Sequence, residues 1–152
     1  MSRQLVLTVG NELMGDDAAG PLLAEMLSQA PAQGWDVLNG GSAPENEVQR
    51  IRALGPDRVL IVDATDMDLE PGEVRLVDGD IIADQLFMTT HALPLTFLID
   101  LLREFVPDVQ LLGIQPSLVA FSYPLSPQVR RAVETLHENL RKSRDLDAYE
   151  RL

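Results

Sequence analysis

Three short apolar runs constrain the fold of this chain more than any other feature of its sequence. They lie at residues 5–9, 59–62 and 109–114, and each is rich in valine, isoleucine or leucine. An apolar run of this length without polar alternation is typical of a strand that is buried on both faces. The runs therefore predict a parallel sheet that helices cover on both sides.

Two more strands and several helices are predicted around these runs. Residues 35–38 form a weaker strand candidate, and residues 73–77 alternate polar and apolar side chains after Pro71-Gly72. The loop before this last strand is too short for a helical crossover, so we expect the strand to be antiparallel and near an edge. Apolar side chains recur at helical spacing at residues 19–30, 43–54, 94–105 and 129–140, and a short helical piece is expected at 80–86.

The alternation of these elements predicts a three-layer α/β/α sandwich with a mostly parallel sheet of about five strands. No linker, repeat or low-complexity segment interrupts residues 1–142, so we predict that they form one domain. Residues 143–152 are polar and are predicted to form a flexible tail. The sequence from Ser42 to Glu45 predicts a capping box at the start of the second helix.

The composition excludes several classes of function. The net charge of −12 argues against binding to nucleic acid or to anionic membranes, and it allows a basic protein or peptide partner. The absence of cysteine excludes disulfides, thiolate zinc sites and cysteine nucleophiles. No apolar run approaches the length of a membrane span, and the first residues lack a signal-peptide pattern. We therefore expect a cytoplasmic, monomeric protein.

Two carboxylates and one imidazole are predicted to meet where the parallel strands end. Asp17 lies in the turn after the first strand, Asp63 ends a central strand, and His91 precedes the third helix. Open parallel sheets bind their ligands beyond the carboxyl ends of the strands. Oxygen and nitrogen ligands suit a divalent metal such as zinc, nickel or iron. The adjacent Asp16 adds negative charge, which favours a cation over a phosphate at this helix start.

Each of these residues also has a structural interpretation. Asp16 or Asp17 can cap the first helix, and Asp63 can form a turn at the end of its strand. His91 alone can be a structural hydrogen-bonding residue, and His137 on the last helix is predicted to lie at the surface. The spacing of these residues alone is therefore consistent with a metal site and also with purely structural roles.

Other protein classes share parts of this pattern. A phosphorelay receiver domain has similar aspartates, but it needs a lysine after its last strand, where this chain has Gln115-Pro116. The only lysine of the chain is Lys142, in the last helix. A self-contained zinc metallohydrolase and a non-catalytic flavodoxin-like binding module stay open as alternatives. A serine nucleophile is disfavoured because Ser42 does not match the G-x-S-x-G motif.

Five segments, in order along the chain, resemble the hydrogenase maturation endopeptidases, and especially the type that acts on hydrogenase 3. They are "VGNELMGDDAAGPLL", "GGSAPEN", "LIVDATDM", "MTTH" and "LLGIQP". The resemblance implies an endopeptidase that removes a C-terminal extension from the precursor large subunit of a [NiFe] hydrogenase after nickel insertion. It also implies that Asp17, Asp63 and His91 bind the nickel carried by that substrate, at a site that would also accept zinc or cadmium. Many relatives have glutamate in place of Asp17, which keeps the carboxylate but changes its reach.

Overall fold

A computed structural model of the chain describes residues 3–77 and 95–152. In these ranges the strands are β1 (Gln4–Thr8), β2 (Trp35–Asn39), β3 (Arg58–Ala64), β4 (Val74–Val77) and β5 (Asp108–Ile114). The helices are α1 (Ala19–Gln29), α2 (Val48–Leu54), α3 (Leu95–Arg103) and α4 (Pro127–Arg141). Short 3-10 helices lie at Gly15–Ala18, Pro44–Glu47 and Leu146–Ala148. The helical piece predicted at 80–86 lies outside the described residues.

The strands form one sheet in the order β2-β1-β3-β5-β4. The first four of these strands pair in parallel, and β4 pairs antiparallel with β5. The predicted mostly parallel sheet of five strands is therefore confirmed, as is the antiparallel strand at its edge. The short turn before β4 ends in a pair of backbone hydrogen bonds: Gly72 N–H donates to the Gln115 carbonyl and Gln115 N–H donates to the Glu73 carbonyl, both at 2.8 Å.

Both faces of the sheet are covered by helices, which confirms the three layers. Leu7 of β1 packs in a cluster with Ile51 of α2 and with residues of α3. Val6, the next residue along β1, packs on the opposite face with Leu23 of α1 and with residues of α4. Successive side chains of a strand point to opposite faces, so an uninterrupted apolar run fills both clusters.

The predicted capping box at Ser42 is wrong. The 3-10 helix Pro44–Glu47 begins after Ala43 and has no side-chain cap, and α2 follows it from Val48. Proline favours the first position of a helix. Pro44 occupies that position, so Ala43 is the N-cap. A capping box needs its serine at the N-cap, and Ser42 lies one residue before it.

The predicted surface position of His137 is also wrong. This residue of α4 is buried, and its Nε2 lies 2.8 Å from the carbonyl oxygen of Ala30, directly after α1. The His137 side chain therefore connects α4 with the end of α1, and both helices pack on the same face of the sheet.

Residues near the chain end have specific contacts that their polar composition does not predict. Leu146 is buried in the same cluster as α1 and α4. Leu76 N–H donates to the Glu150 carbonyl at 2.8 Å, and Leu152 N–H donates to the Leu76 carbonyl at 3.0 Å. These bonds occupy the outer edge of β4, where an exposed strand would otherwise present unpaired backbone groups. Within residues 3–77 and 95–152, no helix is long and apolar enough to span a membrane.

Candidate active site

The loops that follow β1, β2, β3 and β5 form one rim at the carboxyl edge of the sheet. Gly10 N–H donates to the Gly41 carbonyl at 2.8 Å, which joins the loops after β1 and β2. Thr65 N–H donates to the Ile114 carbonyl at 2.9 Å, which joins the ends of β3 and β5. This is the edge at which the sequence predicted a ligand site.

The backbone of Asp17 lies very close to that of Gly10, two residues after the end of β1. Gly10 has a φ of +142°, and a Cβ at this position would lie 2.1 Å from the Asp17 carbonyl oxygen. Only glycine adopts this conformation without strain and leaves space for the carbonyl. The Asp17 Oδ2 atom accepts a hydrogen bond from Asn11 N–H at 2.8 Å, and the residue is 2% exposed.

Asp63 lies on β3, next to the 3-10 helix Gly15–Ala18 that carries Asp17. It is 0% exposed and is paired in register with Gly113 of β5. Val9 N–H donates to the Val62 carbonyl at 2.9 Å, and the 3-10 helix Gly15–Ala18 packs against β3. The structure therefore brings two predicted site residues to the same part of the rim. A carboxylate is buried at this depth only when hydrogen bonds, opposite charges or a metal compensate its lost hydration.

The third predicted ligand, His91, lies outside the described residues. Among residues 3–77 and 95–152, no cluster of three or more histidine, aspartate or glutamate side chains could hold a metal. The metal-binding roles of Asp17, Asp63 and His91 stay predictions.

Asp16 has a structural role that differs from the predicted helix cap. Neither the 3-10 helix Gly15–Ala18 nor α1 has a side-chain cap. The Asp16 carboxylate instead accepts four hydrogen bonds from the loop after β5: from Ser117 N–H at 2.7 Å, Leu118 N–H at 3.2 Å, Ser126 N–H at 2.6 Å and the Ser126 hydroxyl at 2.9 Å. Because Asp16 is 0% exposed, it acts as a buried anchor between the first and last loops of the rim.

Gln115 holds the loop that follows Asp63. Its Oε1 accepts hydrogen bonds from Met67 N–H at 2.6 Å and Leu69 N–H at 3.2 Å, and its Nε2 donates to Asp66 Oδ1 at 3.1 Å. The sequence predicted that Gln115 follows the last strand at this edge, but it did not predict that Gln115 binds the neighbouring loop. A polar side chain directly after a buried strand is the feature that indicates such a role.

The rim is strongly acidic. The loops at residues 9–18, 40–47, 65–73 and 115–126 contain nine carboxylate side chains and no lysine or arginine. The nine residues are Glu12, Asp16, Asp17, Glu45, Glu47, Asp66, Asp68, Glu70 and Glu73. A surface that carries charge of one sign attracts ions of the opposite sign. Two of the nine form ion pairs with arginines just outside these loops, Glu47 with Arg50 at 3.5 Å and Glu73 with Arg75 at 3.6 Å. The other carboxylates still give the rim a net negative charge, which favours a cation or a cationic segment of another protein.

Comparison with known proteins identifies the family. A family model described as hydrogenase maturation protease matches residues 21–143. The hydrogenase 3 maturation protease of Escherichia coli strain K12 is 54% identical over 136 residues, which cover 90% of this chain and 87% of that protein. The chain belongs to the hydrogenase maturation protease family.

Solved structures agree with this membership. The solution structure of the endopeptidase HycI from Escherichia coli has a TM-score of 0.92 and 50% identity, and the match covers 99% of this chain and 96% of that one. A [NiFe] hydrogenase maturation protease from Thermococcus kodakarensis has a TM-score of 0.82 and 31% identity, with 93% of each chain covered. The present maturation protease is therefore a hydrolase of the endopeptidase class, and the alternative of a receiver-like or flavodoxin-like binding module is not favoured.

Proposed function

We propose that this protease removes the C-terminal extension of the precursor large subunit of a [NiFe] hydrogenase of the hydrogenase 3 type after nickel has been inserted. The observation that carries the proposal is the 54% identity with the hydrogenase 3 maturation protease of Escherichia coli over 90% of the chain. The acidic rim supports it, because a nickel-loaded substrate brings a divalent cation to that edge.

Within this proposal, Asp17, Asp63 and His91 bind the nickel that the substrate carries. Carboxylate and imidazole groups are suitable ligands for nickel, and the same set also accepts zinc or cadmium. Three protein ligands leave coordination positions open for groups of the substrate. The nickel then acts as the recognition feature that distinguishes a loaded precursor from an empty one. The close approach of the Gly10 backbone to Asp17 and the hydrogen bonds of the Gln115 side chain support this role, because they fix the loops that lie beside the buried aspartates.

We also propose that the protease acts as a cytoplasmic monomer. The net charge of −12 opposes association of two copies, and the absence of cysteine suits a reducing compartment. The same charge disfavours binding to nucleic acid and to anionic membranes.

Cleavage of a purified precursor tests the proposed function. After incubation of the protease with nickel-loaded precursor large subunit, mass spectrometry is expected to show two products, the shortened subunit and the released C-terminal peptide. An unchanged precursor mass at equimolar enzyme would contradict the proposal. Metal analysis of the dialysed protease alone is the control for a self-contained zinc hydrolase, which would retain about one zinc ion per chain.

A further inference from the structure

Large apolar side chains are exposed together beside the candidate active site. The exposed fractions are 59% for Leu13, 47% for Leu118, 67% for Phe121 and 58% for Tyr123. Leu13 lies in the loop after β1, and the other three residues lie in the loop after β5. We refer to these four residues as the apolar patch. Among the described residues, the one other large hydrophobic side chain with comparable exposure is Phe97 of α3, at 50%.

Backbone hydrogen bonds join the two loops that form the apolar patch. Ser122 N–H donates to the Leu13 carbonyl and Asp16 N–H donates to the Leu118 carbonyl, both at 2.9 Å. Gly15 has a φ of +59°, and a Cβ there would lie 2.5 Å from the Leu118 carbonyl oxygen. The patch therefore has a defined shape before any partner binds, and this lowers the loss of conformational entropy on binding.

The loop that carries most of the patch is also free of charge. Residues 116–127 contain no aspartate, glutamate, lysine or arginine, although charged residues make up 24% of the chain. Exposed apolar side chains grouped on one surface mark sites of interaction with other proteins. Aromatic side chains are enriched at such sites, and Phe121 and Tyr123 supply two of them.

We propose that the apolar patch is a docking surface for an apolar segment of the precursor large subunit, a proposal that rests on the proposed function. Two observations select this occupant. The patch is continuous with the candidate active site, because Asp16, which anchors its loop, directly precedes Asp17. The acidic rim beside the patch and the net charge of −12 disfavour a second copy of the chain and favour a segment without net negative charge.

Steady-state cleavage of nickel-loaded precursor by Phe121→Ala and Tyr123→Ala tests the inference. Each variant is expected to raise KM about tenfold with kcat changed less than about twofold, because a docking contact that is the same in the bound substrate and in the transition state contributes equally to the stability of both. The thermal unfolding midpoint should be unchanged, since both side chains are mostly exposed. Phe97→Ala, which removes an aromatic ring of comparable exposure from α3, is the matched control and should keep the wild-type KM.

The outcomes separate this inference from the proposed function. If the wild type cleaves the precursor and both patch variants keep its KM, the docking surface is wrong and the function stands. An equal rise of KM in Phe97→Ala, or a fall confined to kcat, would also overturn the docking role. A wild-type dimer in sedimentation that becomes monomeric in Phe121→Ala would make a second copy the occupant instead. If the wild type leaves the precursor uncleaved, the function and the inference fail together.

Discussion

Asp63→Asn is expected to lower cleavage of the nickel-loaded precursor by at least about a hundredfold while the chain stays folded. Removing even an indirect partner of a metal ligand typically costs about 10–100-fold in affinity or activity, so the loss of a direct ligand should exceed that range. Asparagine keeps the size of the aspartate at this fully buried position of β3. The measurement is the initial rate of product formation, together with far-UV circular dichroism of each variant.

Asp68→Asn is the matched control for this substitution. Asp68 is an exposed residue of the same rim with a φ of +59°, a conformation that asparagine tolerates well. It should keep the wild-type cleavage rate. Asp17→Asn and His91→Ala should behave like Asp63→Asn if all three residues bind the nickel. Normal cleavage by Asp63→Asn would remove that carboxylate from the proposed site, and a clear loss of stability without metal would make Asp63 structural.

Asp16→Ala is expected to lower the free energy of unfolding by about 2–4 kcal/mol. The substitution deletes four hydrogen bonds to a buried carboxylate and leaves the N–H groups of Ser117, Leu118 and Ser126 without that acceptor. Each hydrogen bond to a charged group contributes roughly 1.5–3 kcal/mol, and water compensates part of the loss at a partly exposed loop. Urea unfolding at neutral pH measures the change in midpoint and slope.

Asp57→Ala provides the comparison for Asp16→Ala. Asp57 also accepts a backbone hydrogen bond, from Arg3 N–H at 2.9 Å, but it lies at an exposed site. Its replacement should cost less than about 1 kcal/mol. Similar decreases in the free energy of unfolding for the two variants would show that Asp16 has no special role as an anchor of the rim.

The sheet was predictable because each central strand is recorded as a run of consecutive apolar residues. The continuous apolar runs at 5–9, 59–62 and 109–114 correspond to β1, β3 and β5, the three adjacent strands at the centre of the sheet. Burial on both faces removes polar alternation from such strands, so the sequence records their central position directly. The antiparallel direction of β4 was also predictable from a local feature, because the loop before β4 is too short for a helical crossover.

The features that sequence analysis missed depend on contacts between distant parts of the chain. Asp16 and Ser126 are separated by 110 positions, and His137 and Ala30 by 107. Patterns of capping and helical spacing compare residues that are about three or four positions apart, so they assigned Asp16 to its own helix and His137 to the solvent. The edge that carries the site was predictable from strand order, whereas the anchoring roles of Asp16 and Gln115 needed the folded structure.

We propose that buried carboxylates of this protease recognise the nickel that the precursor carries. The most direct test compares nickel-loaded and nickel-free precursor, each incubated with the same amount of protease in the presence of a chelator that does not extract the bound nickel. Mass spectrometry should show complete conversion of the loaded precursor and an intact C-terminal extension on the nickel-free one. Equal cleavage of the two precursors would show that the protease does not recognise the nickel.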